Sequence, residues 1–405
     1  MTTFLQDHHR LPSTTNCEAA HPAAEDVKTT GHRPYQTHVI TTRDDFEGLA
    51  GEWNDLLDRS AACTVFLTWE WIQAWLETIR PEAKLLVIVV RDSNGQLAGI
   101  GPFYRTRVTL LRCVPYRCLR VLGDSRSGSE YGNVIVRRDV QCEAADEIFR
   151  FLTEHADVWD TLWLPNMGPE LDASHMVQSA AGNRGMRCRS REVGFARIRF
   201  DGTFEDYLKS LPRKIRYQMR RGLERLEQEH GAVFETCGRE DQLDDALADL
   251  FRLHQARWTN RREKGIFSNP TTCEHYKAMC LGMLRRGWLR LDRAMVDGKA
   301  VAAQIGFGFN SVFHELQRGF DPSFPNIPAG LGSAVRLMVI RRSFTEGIKY
   351  YDFLGAFTED KSRAGAKSLC GCDLLVVRPS LRNNLLFRSN TWPTGRYLRF
   401  PRAER

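Results

Sequence analysis

The residues best suited to chemistry lie between Phe320 and Gly355. A strand closes at Asp321-Pro322, and the loop Ser323-Phe324-Pro325-Asn326-Ile327-Pro328-Ala329-Gly330-Leu331-Gly332 follows. A helix is then predicted from about Ser333 to Glu346, stopped by Gly347, with a strand over Lys349–Leu354. Strand, glycine loop and helix N-terminus together make an anion site, because free loop N–H groups and the positive end of the helix dipole meet there. Gly330 and Gly332 let the backbone approach a pyrophosphate with no Cβ in the way. Ala329, Gly330, Leu331, Gly332 and Ser333 are therefore the candidate cradle; the plainer alternative is a pair of glycines that only shape a loop. A second cluster, Arg213, Lys214, Arg216, Arg220 and Arg221, forms a basic ridge on one predicted helix. It would either hold phosphates or be a solvated face paired with Glu224, Glu227 and Glu229.

The elements that must position these residues repeat. Phe46, Leu49, Trp53, Leu56 and Leu57 recur at helical spacing, as do Trp69, Ile72, Trp75 and Leu76. Strand Leu85–Val90, turn Asp92–Gly95 and strand Leu97–Tyr104 then read as a hairpin with Asn-Gly at its apex. The second half repeats the order. A helix from Leu243 to Trp258 and another through Tyr276, Met279, Leu281 and Leu284 precede strand Trp288–Met295, turn Asp297-Gly298, and strands Val301–Phe309 and Ser311–Phe320. Helix–helix–strand–turn–strand twice over predicts a duplicated α/β unit. Val158–Leu164 and Arg197–Phe200 are further strands between the copies, and the tryptophans read as helix-packing core.

At 405 residues the chain exceeds one ordinary core, so two domains are expected. The apolar run Leu85–Val90 is far too short to span a bilayer, and the polar opening segment lacks a signal-peptide core. A cytoplasmic location is the resulting expectation. The eleven cysteines show no pairing logic and no zinc spacing, which points to reduced thiols and no metal. The net charge of +7 gathers in the Arg213–Arg225 segment and in the tail after Asp373.

Three stretches carry a family resemblance. Leu211-Pro212-Arg213-Lys214-Ile215-Arg216-Tyr217-Gln218-Met219-Arg220-Arg221, Ile327-Pro328-Ala329-Gly330-Leu331-Gly332 and Tyr350-Tyr351-Asp352-Phe353-Leu354-Gly355 resemble the basic helix, cofactor loop and following strand of GNAT-type acetyltransferases. The resembled group is the CelD-like (cellulose biosynthesis) one, related to the Fem peptidyltransferases. Phe66-Leu67-Thr68-Trp69-Glu70-Trp71 with Trp75 is similar to its entry helix, and Lys361 stands where such families place a lysine. The chain departs from the pattern at Asp360-Lys361-Ser362-Arg363-Ala364, which lacks the Tyr-Lys-x-x-Trp aromatics found in many members.

The resemblance implies two tandem GNAT-like domains of mixed-sheet α/β fold, with acetyl-CoA or another acyl-CoA as co-substrate and direct attack by the acceptor. No nucleophilic side chain is then required, and the sequence has no Gly-x-Ser-x-Gly elbow. A proton acceptor is still required. Glu315 is the first candidate, Asp352 the second and His314 the third; adjacent strand residues face opposite ways, so His314 and Glu315 cannot share one cleft. Packing roles for His314 and Asp352 remain equally open. Lys214, Arg216 and Lys361 are the candidate substrate contacts.

The expected division is an unstructured 1–36, a first domain over 37–200, a catalytic domain over 201–378 and a basic tail over 379–405. The expected activity is acyl transfer to an amine or hydroxyl of a small molecule or a polysaccharide or cell-envelope acceptor, with the first domain forming part of the acceptor cleft. Two other readings stand beside it: a Fem-like transfer from aminoacyl-tRNA, and a non-catalytic GNAT scaffold. Nucleic acid is expected only in the tRNA reading, and the chain leaves no room for a long helical arm before Val233–Cys237.

Overall fold

In the first half the chain runs β1 (Tyr35–Ile40), α1 (Arg43–Glu47), α2 (Ala50–Asp58), α3 (Trp69–Thr78), β2 (Lys84–Asp92) and β3 (Leu97–Leu110). It continues through β4 (Val114–Val121), β5 (Ile135–Val136), α4 (Gln141–Glu154), β6 (Thr161–Met167), α5 (Leu171–Asn183) and β7 (Arg187–Arg199). The second half runs α6 (Phe204–Ser210), α7 (Arg213–Glu224), β8 (Val233–Thr236), α8 (Leu243–Asn260), α9 (Pro270–Arg285) and β9 (Leu289–Val296). It closes with β10 (Lys299–Phe309), β11 (Val312–Phe320), α10 (Leu331–Thr345), β12 (Tyr350–Gly355), α11 (Glu359–Arg363), β13 (Lys367–Val377), α12 (Leu381–Arg388) and β14 (Leu398–Arg399). This computed structural model describes residues 34–110, 114–124, 128–169, 171–388 and 398–399. Most of the expected unstructured segment 1–36 and much of the tail 379–405 lie outside the described residues, although Tyr35 and Gln36 already belong to β1.

Local chemistry sets the element ends. Thr68 caps α3 by accepting from the Trp71 amide, Thr203 and Asp206 form a reciprocal capping box on α6, and Asn269 caps α9 ahead of Pro270. Asp297 and Gly298 both take positive φ, 49° and 72°, the conformation a tight β9–β10 hairpin turn demands. β2 is buried along Leu85–Val90, which explains its uninterrupted apolar run.

All strands join one mixed sheet, ordered β1-β2-β3-β4-β6-β13-β7-β12-β11-β10-β9-β8, with β5 and β14 against β3. Only β4–β6 and β11–β12 pair parallel along that path; every other neighbour is antiparallel. The order is symmetric about the β13–β7 seam, where β1 to β6 of one half mirror β8 to β12 of the other. The mixed α/β architecture with a duplicated unit is thus present, and the halves exchange their last strands. β13 of the second half pairs with β6 of the first, from Val377 opposite Thr161, and β7 of the first pairs with β12 of the second, from Tyr350 opposite Arg199. A cut at Asp201 follows the chain but not the sheet, and Tyr35–Arg405 form one compact unit.

One core cluster runs through both halves. Trp53, Trp71 and Trp75 are fully buried in it, and Trp69 stacks on Phe46 with centroids 4.6 Å apart. Helix α3 packs on α9 across the halves, with Thr78 Oγ1 3.0 Å from His275 Nδ1 and Glu70 paired to Arg286 at 2.6 Å. A second cluster joins the opposite face of the second half to α6, α7 and α10. Among the described residues no helix is long and apolar enough to cross a membrane.

Candidate functional site

The site begins where two parallel strands separate. β11 and β12 pair only over Val312–His314 and Tyr350–Asp352; beyond that β11 continues to Phe320 and β12 to Gly355. β11 also carries a bulge. Gly306 of β10 faces Glu315 while Ile305 faces Gln317, so Leu316 is the extra residue that bends the strand at the start of the fork.

The fork opens toward the start of α10, the predicted cradle. Ala329 has φ 62°, and Gly330 has φ 82° and ψ 153°, a combination that essentially only glycine takes. Gly330 is the N-cap and no side chain caps α10, so the N–H groups of Leu331 and Gly332 keep the unpaired character of a helix start. Ser333 and Ala334 donate back to the Gly330 carbonyl at 3.0 and 3.2 Å. At Gly332 a Cβ would lie 3.2 Å from the Phe320 ring. Helix α7 braces the loop, and a Cβ at Gly222 would collide with the Pro328 carbonyl. A cavity of about 90 Å³ lies here, lined by Ile215, Gln218 and Met219 of α7 with Ala329, Ser333 and Arg336.

Positive charge surrounds this end. Arg257 on α8, Arg318 on β11 and Arg336 on α10 share it with the carboxylates of Glu315 and Asp360. Burial first, then Arg318 and Arg261, push the Arg257 guanidinium down to about 10. The basic ridge on α7 contributes less than the sequence suggested. Arg220 pairs with Glu205, and Arg221 and Arg225 pair with Glu229, which is the solvated-face alternative. Arg216 donates to the Lys209 carbonyl at 3.2 Å, and Lys214 is exposed. Neither lines the cavity.

The expected proton acceptors are already engaged. Glu315 receives two hydrogen bonds at 3.1 Å from Arg336, one from Tyr351 at 2.6 Å, and pairs with Arg318 at 3.1 Å. Burial would raise its carboxyl, but Arg318 and Arg336 outweigh it and hold the group at about 2. A carboxylate so stabilised is a poor base at neutral pH, which argues against the first expectation. Asp352 has no exposed surface; its oxygens accept from Arg197 at 2.8 Å, Tyr131 at 2.8 Å and the Leu354 amide at 2.7 Å. That saturation makes it a structural clasp. His314 is pressed down to about 4, chiefly by burial, and borders a cavity of about 80 Å³ between the halves with its Nδ1 unpartnered among the described residues. His314 and Glu315 do point to opposite faces, toward Phe66 and Arg336 respectively. Lys361 is likewise engaged: its ammonium donates to the carbonyls of Phe353 at 2.9 Å, Gly355 and Ala356 at 2.7 Å, which uses all three protons. It pins the end of β12, where Leu354 and Ala356 hold positive φ.

Three residues at the fork were not anticipated: Glu130, Tyr131 and Arg197. The first two sit in the loop after β4, whose only local signal is glycine at 123, 128 and 132. Tyr131 reaches Asp352, and Arg197 on β7 meets it from the other side. Burial above all raises the Glu130 carboxyl to about 7, with Asp352 and Asp373 adding to the effect and the Gly355 amide and Lys361 opposing it. At the equivalent fork of the first half, between β4 and β6, the chain's own loop pairs with β6, the Tyr131 amide donating to the Asn166 carbonyl at 2.8 Å. Helix α4 there begins after Val140 with no glycine cradle.

Residues 213–362 match the family model described as the Acetyltransferase (GNAT) domain. No curated protein matches the sequence. Among solved structures the chain is similar to FemX, with a TM-score of 0.60 at 11% identity over 88% of this chain and 99% of that one. It is also similar to a conserved protein of unknown function from Bacteroides thetaiotaomicron, with a TM-score of 0.52 at 12% identity over 81% and 97% of the two chains. At such identities the likeness is one of fold.

Proposed function

We propose that the chain transfers an acyl group from an acyl-CoA thioester to an amine or hydroxyl by direct attack of the acceptor. The observation that carries this is the fork between β11 and β12 opening onto the uncapped, glycine-started N-terminus of α10. A pyrophosphate suits that end, because helix amides, the macrodipole and the Arg257–Arg318–Arg336 group favour negative charge at one place. Ala329 to Ser333 would hold it. The fork then leads away from it, where a thioester could be oriented beside residues of the first half. The matched GNAT segment, which contains both the loop and the fork, supports the same reading.

The acceptor belongs to the first half's side of the fork. Loop residues 128–131 cover that side, and the cavity at His314 is lined by residues of both halves. A small-molecule, polysaccharide or cell-envelope acceptor is consistent with a cleft built this way. Against the aminoacyl-tRNA alternative stands one feature, the helical arm that only some Fem relatives carry: here α7 and the π-helical turn after it end at Glu229 and β8 starts at Val233. No helical arm stands between them.

Thermal and chaotrope unfolding with acetyl-CoA, longer acyl-CoAs and aminoacyl-tRNA separates the readings. A true donor at about 100 times its Kd raises unfolding free energy by about 2.7 kcal/mol. A shift with aminoacyl-tRNA and none with any CoA thioester would refute the acyl-CoA reading.

A further inference from the structure

A loop of the first half lies across both prongs of the second half's fork. A Cβ at Gly128 would lie 3.5 Å from Leu316, the bulged residue of β11. A Cβ at Gly355, the end of β12, would lie 2.9 Å from Glu130 Oε1 and 3.7 Å from Oε2. Glu130 is therefore held against the open end of β12, two residues along from the prong opposite. Its Oε2 is buried without a hydrogen-bond partner among the described residues.

The other acids at the fork are spent. Glu315 is shared between two guanidinium groups and a phenol, and Asp352 is saturated by Arg197, Tyr131 and an amide. Lys361, the cation on α11 nearest to Glu130, gives its protons to three carbonyls. The charged groups facing Glu130 are Asp352 on β12, Lys361 on α11 and Asp373 on β13. Asp373 is itself clasped by Arg191 and the Asn166 amide. A half-buried carboxylate with one oxygen unclaimed is what a proton acceptor needs to be.

We infer that Glu130 takes the proton from the acceptor as its nitrogen or oxygen attacks the thioester carbonyl. This rests on the acyl-transfer reading above. The acceptor–carbon bond forms, the acceptor proton passes to the Glu130 carboxylate, and the carbon–sulfur bond breaks. The departing CoA thiolate takes that proton back, so Glu130 ends ionised and free CoA leaves as the thiol. A carboxyl titrating near 7 is half-ionised at neutrality, which suits both transfers. The catalytic site is then composite: the donor cradle comes from the second half and the base from the first.

The test is Glu130→Gln in the full chain, with Glu130→Asp as its companion. Turnover with an acceptor found by screening is followed from pH 5.5 to 9, and acetyl-CoA binding is measured by calorimetry on the same samples. Glu130→Gln is expected to lose about 100- to 10,000-fold in kcat/KM, to lose the rising limb centred near pH 7, and to keep the wild-type Kd for acetyl-CoA. Glu130→Asp is expected to recover part of the rate together with the limb. A Glu130→Gln enzyme that binds donor, stays within a few fold of wild type and retains the limb overturns the inference and leaves the acyl-transfer reading standing. A wild-type chain that binds no CoA thioester overturns both.

Discussion

Glu130 makes a prediction about stability that needs no substrate. Its carboxyl is raised from the 4.5 of a free glutamate to about 7. Each tenfold shift corresponds to about 1.4 kcal/mol, so the ionised form costs the fold roughly 3 kcal/mol. The sign follows from which state loses its proton first. Below pH 4 the group is neutral in both states and costs nothing. Between about 4.5 and 7 the unfolded chain ionises first, so stability falls as pH rises; above 7 the full cost is in place. Glu130→Gln keeps the shape of the neutral acid and removes the titration. Relative to wild type, the variant should therefore gain roughly 3 kcal/mol between pH 4 and pH 8.5, whatever constant offset the amide introduces. Urea unfolding of both proteins at five or six pH values measures this difference of differences. A gap that stays flat across the range would show that the carboxyl titrates normally and would remove the physical basis for its role as a base.

Two further outcomes probe the frame around it. Glu315→Gln should destabilise the protein by about 3–5 kcal/mol, because Arg318 and Arg336 lose their shared counter-charge in a buried place. Since the Glu315 carboxyl is held at about 2, its contribution is present above the free-acid range and is lost only as pH falls toward 2. The gap to wild type should then be flat from pH 6 to 9, and a gap that grows with pH over that window would contradict the ion-pair assignment. Gly222→Ala should cost about 1–3 kcal/mol and weaken acetyl-CoA binding, because a methyl group there displaces the Pro328 carbonyl and the loop behind it. Unchanged melting temperature and Kd would refute the close approach.

What could be read in the sequence follows the range of the interactions. The hairpin turns at Asp92–Gly95 and Asp297-Gly298, the glycine loop and the helix after it are local, and they fall within a few residues of their expected places. The opposite facing of His314 and Glu315 follows from strand geometry alone. The ion pairing that argues against Glu315 as the base is non-local. Arg336 is 21 residues away and Arg318 three, and nothing short of the fold places both on one carboxylate. Glu130 escaped notice for the same reason: the burial and neighbouring charges that alter its chemistry come from β12, α11 and β13. Strand β7 was read only at its last residues, because its ladder partners lie more than 150 positions away.

The exchanged strands also set an order of events during synthesis. β6 emerges from the ribosome roughly 200 residues before β13, the strand that must cover its open side. Until Gly355 has been made, the first half's own last strand has no β12 to lie against, and until Val377 has been made its edge over Thr161–Met167 stays unpaired. Exposed edges of this kind invite pairing with other chains, and ladders closed over such separations form slowly. Neither half can therefore complete its sheet first. The nascent chain must protect that edge through about half of its translation, and a ribosome that stalls before β13 releases two unfinished sheets.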